Sequence, residues 1–301
     1  MANNESTSSN LMAGKTCLVT GATAGIGQRI ALELACLGAH VVVAGRNEAK
    51  CAAAALNIRN ESQNSAVEYL VADLSSQEQV RRLAGEFKQS HQRLDVLVNN
   101  AGALHMSRQY SVDGIEMTFA LNHLSYFLIT NLLLDVLKAS GPARVVNVAS
   151  SAHSEARLNL DDVRDPRRHG GIRAYSRSKL CNVLFTYELA RRLEGTGVTA
   201  NALHPGLVAT NFLTNNGRFG RFLNFFLRIR GISIEAGART PVYAAASPEM
   251  EGVSGKYLVK GQIVRSSQRS YDESVAAALW ELSANLTGIP APEPLSSPFS
   301  D

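Results

Sequence analysis

Thr20-Gly21-Ala22-Thr23-Ala24-Gly25-Ile26-Gly27 is the stretch on which the fold turns. It follows a short apolar run, Thr16 to Thr20. It leads straight into Gly25 to Leu37, which carries Ile26, Ile30, Leu34 and Leu37 on one helical face. Strand, glycine turn and helix in immediate succession are the context in which such a motif holds phosphate. Gly21 permits the tight turn, Gly25 lets the backbone approach a pyrophosphate, and Gly27 lets the helix pack close to the strand. The helix start, with Thr23, Ala24 and Ile26 around it, offers unpaired N–H groups and a positive dipole end. A strand-to-helix turn with no ligand is the alternative.

The same alternation continues outward. Further apolar runs at His40–Ala44, Val67–Ala72, Leu94–Val98, Ala143–Val148, Val198–Leu203 and Lys256–Val259 read as strands. Helical patterns lie between them: Ala49–Asn60, a stretch from Ser76 as N-cap to about His91, Glu116–Ser140 with room for one break, residues 173–195 and Ser233–Ala246. Continuous apolar strands separated by helices predict an α/β fold: one doubly wound, Rossmann-like domain with a parallel seven-stranded sheet and helices on both faces. Residues 1–13 read as a disordered polar leader, 14–287 as the domain, and 288–301 as an irregular Pro-rich tail.

Composition narrows the function. Of 301 residues, 45% are hydrophobic and 19% charged, and the net charge is +4. That charge is too mild, and too evenly spread, for a nucleic-acid binder. The four cysteines, Cys17, Cys36, Cys51 and Cys181, form no C-x-x-C pair, so neither a zinc site nor a disulfide framework is expected of them. The N-terminal stretch does not read as a signal peptide, and no run of about 18 apolar residues predicts a transmembrane helix. A reducing, cytoplasmic setting is the default.

The second strand ends in Arg46-Asn47, with no carboxylate to hold a ribose 2′-hydroxyl. The guanidinium of Arg46 suits a 2′-phosphate, so NADP(H) is the expected cofactor, with NAD(H) as the alternative.

At this point the sequence resembles the short-chain dehydrogenase/reductase family. The Thr-Gly-x-x-x-Gly-x-Gly form is joined, in order, by Asp73-Leu74, Asn99-Asn100-Ala101-Gly102, Tyr175-x-x-x-Lys179 and Pro205-Gly206. The resemblance covers about residues 14 to 285. Within the family the chain is most similar to the retinol dehydrogenase-like branch, through Leu121-Asn122-His123-Leu124, Val146-Asn147-Val148 and the run from Tyr175 to Leu193. It departs from that branch at Ser125-Tyr126, where Gly-His is expected, and at Ala149, where serine is expected.

The resemblance implies hydride transfer between a nicotinamide and an apolar aldehyde, ketone or matching alcohol. Tyr175 is the implied general acid/base, Ser151 (rather than its neighbour Ser150) the substrate-orienting hydroxyl, and Asn122 a holder of a relay water. Tyr175 and Lys179 are i and i+4 on one helix, so an ammonium at Lys179 would lower the tyrosine pKa. By resemblance Lys179 also holds the nicotinamide ribose, Asp73 and Leu74 lie at the adenine, and Asn100, Ala101 and Gly102 run along the adenosine ribose. Pro205, Gly206, Val208 and Thr210 flank the nicotinamide. As non-catalytic alternatives, Asp73 serves as a turn former and Thr210 as a helix cap. His153 and His204 are read as structural.

Residues 211–232 are basic and aromatic, and by resemblance cover the substrate, with Phe212 against it. The segment is either a lid or a patch touching an anionic membrane surface peripherally. Residues 155–172 are expected to form another wall of the pocket. A homodimer or homotetramer is implied by resemblance. A catalytically silent dinucleotide-binding protein is the competing function; the joint presence of Asn122, Ser151, Tyr175 and Lys179 argues against it.

Overall fold

A computed structural model of the chain describes residues 10–161, 171–206 and 232–290. Eight strands form one sheet: β1 (Thr16–Thr20), β2 (His40–Gly45), β3 (Val67–Val71), β4 (Val96–Asn99), β5 (Ala143–Val148), β6 (Val198–His204), β7 (Lys256–Val259) and β8 (Gln262–Val264). Their order is β3-β2-β1-β4-β5-β6-β7-β8. The first seven run parallel and β8 pairs antiparallel to β7. The strand order reverses between β1 and β4, and the crevice beyond the carboxyl ends of strands at such a point is where these sheets bind ligands.

The eighth strand corrects the expected seven. Lys260 and Gly261, both with positive φ (51° and 74°), join Val259 to Gln262 in a two-residue hairpin. That conformation matches the twist of paired strands, and a lysine there hides the signal that Asn-Gly would give.

Strands buried on both faces explain the continuous apolar runs. Cys17, Val19, Val41 and Val43 face one core. Helix α1 (Gly25–Cys36) brings Ile30 and Leu34 to it, and α2 (Glu48–Ser62) brings Ile58. Leu18, Val42 and Leu97, the intervening residues, face a second core with Phe87 of α3 (Gln77–Ser90). Helix α4 (Met117–Leu132) continues into α5 (Leu134–Ser140) after a 56° bend, the single break expected. Phe127 of α4 meets Trp280 of the last helix (Glu273–Thr287) edge to face in that second core, and Phe185 of α6 (Gly171–Arg192) packs at a tilt against both. Between them in sequence, α7 (Ile234–Ala246) packs on α1.

Among the described residues no single helix is long and apolar enough to cross a membrane. Residues 1–9 and 291–301 lie outside the described residues, and with them most of the polar leader and of the Pro-rich tail.

Candidate active site

The glycine turn leaves β1 at Thr20 and is closed by residues 80 positions later. Asn100 donates from its side-chain amide to the carbonyls of Thr20 (2.9 Å) and Gly21 (3.2 Å). The Thr20 hydroxyl accepts the backbone N–H of Asn100 and of Ala101. Gly21 has φ 64°, and a Cβ there would lie 2.7 Å from the Ala101 Cα. A Cβ at Gly27 would collide with the Asn100 amide and the Gly21 carbonyl, so the start of α1 sits as close to β1 as backbone allows.

Ala24 makes no side-chain cap on α1, and the first turn holds no acidic residue. Its amide groups are thus left to an outside acceptor, and the dipole is not neutralised locally. This geometry fits a dinucleotide phosphate. Arg46 stands exposed just past β2. Asn47 instead caps α2 through the Lys50 N–H (3.0 Å), and Asp73 accepts from the backbone and hydroxyl of Ser75 (2.9 and 2.7 Å). Both side chains therefore shape the loops around the crevice, and Leu74 is buried beneath it.

The remaining polar residues converge beyond β4 and β5. Asn122 is fully buried in a π-helical turn, Ala120–Leu124, within α4. Its side chain accepts from Ala103 N (2.9 Å) and donates to Ala103 O (2.9 Å) and the Ser178 hydroxyl (3.0 Å). This ties α4 to the strand-4 loop and to α6; π-turns are frequent where a helix is shaped for a site. Gly102 packs against the Asn122 amide and Lys179. Lys179 Nζ donates to the carbonyl of Val148, the last residue of β5, at 2.8 Å. It also lies 5.7 Å from the ring centres of both Tyr126 and Tyr175.

The structure bears on two expectations here. The serine whose hydroxyl hydrogen-bonds Tyr175 is Ser150; Ser151 is exposed. Ser150 still has extended backbone (φ −164°), whereas Ser151 opens the 3-10 turn Ser151–Glu155 and is carried outward. The second concerns charge. Burial pushes the Tyr175 phenol up to about 12, opposed only by the Ser150 hydrogen bond, and drops the Lys179 ammonium to about 7. The lysine does not hold the tyrosine low in this state, because desolvation acts against the charged form of both.

Ser178 was not singled out from sequence, and Tyr126 was noted only as a departure, standing where the family pattern has histidine. Tyr126 is fully buried with its hydroxyl 3.5 Å from the Val148 carbonyl that Lys179 also uses. Its signal was the departure from the family pattern itself.

His153 supports Ser150 from behind. Its Nδ1 lies 2.7 Å from the Ser150 carbonyl, and its Nε2 accepts the N–H of Ser267 at 3.1 Å. The two bonds together require the neutral tautomer with the proton on Nδ1. His204, at the end of β6, leaves a buried Nδ1 with no hydrogen-bond partner among the described residues. Pro205 and Gly206 follow at the carboxyl end of β6, beside the crevice. Val208, Thr210, Phe212 and residues 211–231 lie outside the described residues, as do residues 162–170 of the second expected wall.

The chain is similar to known proteins. Residues 15–219 match the family described as short chain dehydrogenase. The chain is 42% identical to human retinol dehydrogenase 13 over 294 residues, covering 95% of this chain and 88% of that protein. It is 40% identical to human polyprenol dehydrogenase, covering 91% and 86%. Among solved structures, one from Mycobacterium paratuberculosis superposes with a TM-score of 0.74 at 36% identity, covering 92% of this chain and 94% of the other. The Pseudomonas aeruginosa RhlG/NADP active-site complex gives 0.65 at 28%, covering 83% and 96%.

Proposed function

The chain belongs to the short-chain dehydrogenase family, in its retinol dehydrogenase-like branch, and is an NAD(P)-dependent oxidoreductase acting on CH–OH groups; from that premise we propose that it interconverts an apolar aldehyde or ketone and the matching alcohol with NADP(H), using Tyr175 as acid and base. The observation that carries this reading is the Ser150–Tyr175–Lys179 cluster at the crevice beside β5, with Lys179 buried and the two hydroxyls part-exposed.

When bound, the nicotinamide supplies or accepts the hydride. The protein's part is to hold the carbonyl and move one proton. Ser150 and Tyr175 donate together to the substrate oxygen, which fixes its position and stabilises the negative charge that grows on it. A phenol held near 12 keeps its proton until that charge develops, which is the state reduction needs. Lys179, near 7, carries a proton in part of the population at neutrality and stands behind the phenol to share the charge as Tyr175 gives its proton up. Asn122 holds the strand-4 loop and α6 together behind this group, and the role of a relay-water holder is proposed for it as well. In the oxidative direction the same proton returns along the same atoms.

Arg46 would meet the 2′-phosphate of NADP; the N-terminus of α1, with Gly21, Gly25 and Gly27, would hold the pyrophosphate. The names of the relatives, retinol and polyprenol dehydrogenases, support an apolar substrate. So does the aromatic composition of residues 211–232, of which Phe212 is assigned to the substrate, while Val208 and Thr210 are assigned to the nicotinamide. A homo-oligomer and a cytoplasmic or membrane-peripheral location are part of the same proposal.

The test is a titration of the purified protein with NADPH and NADH by nucleotide fluorescence, followed by retinal, polyprenal, aliphatic aldehydes and bulky ketones. Tight NADPH binding with oxidation of the nucleotide on an apolar carbonyl is expected. Binding without turnover across the panel favours the silent dinucleotide binder, and a preference for NADH refutes the role of Arg46.

A further inference from the structure

At the other end of the strands, His40, Glu68 and His91 bring two imidazoles and a carboxylate within 4.8 Å of one another. Nothing in the hydride-transfer chemistry uses them. His40 opens β2, Glu68 is the second residue of β3, and His91 is the C-cap of α3. In the parallel register Glu68 pairs with Val42, so it lies diagonally across from His40 on the same face of the sheet.

The carboxylate divides its oxygens between the rings. Oε1 lies 3.0 Å from His40 Nε2, and Oε2 lies 3.5 Å from His91 Nε2. His91 is buried and stacked on Phe87 (4.6 Å between centres, 16°). Its Nδ1 lies 3.2 Å from the Phe87 carbonyl, which can only accept, so Nδ1 carries a proton. With Nδ1 protonated, Nε2 faces a carboxylate oxygen. Either a second proton on the ring or a metal ion between the two atoms makes that contact favourable. At 3.5 Å it is also longer than a good hydrogen bond.

The geometry points to a zinc site: His40 Nε2, His91 Nε2 and Glu68 as three ligands, with a fourth, solvent-facing position for water. Zinc bonds of about 2.0–2.1 Å in a tetrahedron set ligand atoms about 3.3 Å apart. The separations of 3.0 Å from His40 to Oε1 and 3.5 Å from His91 to Oε2 lie on either side of that value, each imidazole meeting a different oxygen of the carboxylate. The two imidazoles must close on each other by about 1.5 Å at most, which a turn of the part-exposed His40 ring can supply. Imidazole ligands select zinc-like ions over magnesium or calcium. The Nδ1–H to carbonyl bond of His91 is the outer support that orients metal-binding histidines. The ion would tie β3, the edge strand of the sheet, to β2 and to the end of α3, remote from Ser150.

The test uses the metal-stripped full chain and zinc chloride alone. Isothermal titration is expected to give one zinc per chain, with the thermal midpoint rising on addition. His40→Gln and Glu68→Gln, both at part-exposed positions, should each weaken uptake at least about tenfold and abolish the thermal shift. Cys36→Ser, which removes an exposed thiol, should change neither. Cobalt(II) in place of zinc should give the intense visible bands of a tetrahedral site. No saturable uptake up to millimolar zinc, or uptake equal in all variants, overturns the site and leaves an ordinary histidine–glutamate ion pair.

Discussion

The hydroxyl of Ser150 hydrogen-bonds the phenol of Tyr175, across 25 positions of chain, while Ser151 faces solvent. The two serines therefore separate cleanly by mutation. Ser150→Ala should lower kcat/KM by roughly 10²- to 10³-fold, the usual loss when one donor to a developing oxyanion is removed. Ser151→Ala, a surface change, should stay within about twofold. Steady-state kinetics on both variants checks this, and equal losses would undo the assignment.

Tyr175→Phe should bind NADPH normally and lose roughly 10²- to 10⁴-fold in kcat, the range that a placed acid supplies. Lys179→Met should lose activity with a changed pH profile. With Lys179 near 7, the wild-type profile should show a limb near neutrality that the variant lacks. A limb that persists in Lys179→Met belongs to another group.

Arg46 faces solvent past β2, so its replacement should not disturb the fold. Arg46→Ala should raise the Kd for NADPH at least about tenfold, the loss of one charge-assisted contact, and leave that for NADH nearly unchanged. Fluorescence titration of both nucleotides reads the ratio directly.

His123 is fully buried, hydrogen-bonded to Ser283 at 3.0 Å, and burial drops its pKa to about 3 from 6.5. Below pH 6.5 the unfolded chain takes up a proton that the folded ring refuses. Stability from this group is full above 6.5 and declines as pH falls toward about 3, by roughly 1.4 kcal/mol per unit. Urea unfolding at several pH values should show a shallower acid slope for His123→Gln than for wild type.

The sheet and the phosphate turn were legible because period and spacing are backbone properties: continuous apolar runs mark strands buried on both faces, and glycines at fixed intervals mark a turn that admits no Cβ. The pairing of Tyr175 with Lys179 was legible from helical geometry. Which of Ser150 and Ser151 faces Tyr175 was not legible, because their orientation depends on where β5 stops and the 3-10 turn starts, a boundary that two adjacent serines do not reveal. The balance of charge at the pair was not legible, because i,i+4 spacing says that two groups are near, but not how strongly their surroundings desolvate each of them. β8 was missed because Lys260 adopts a left-handed conformation that its side chain does not advertise. The His40–Glu68–His91 group is assembled from three elements, and no local pattern announces it.

The clamp of Asn100 and Ala101 on the Thr20–Gly21 turn also sets an order of events at the ribosome. The motif emerges first, but the residues that hold it in shape arrive 80 positions later. At synthesis rates of about 5–20 residues per second, that is an interval of roughly 4 to 16 s. During it β1 lacks β4, its neighbour on one side, and α1 lacks the amide that seats Gly27. A nascent chain shorter than about one hundred residues carries the nucleotide signature without the nucleotide site, and its unpaired strands are then a matter for chaperones.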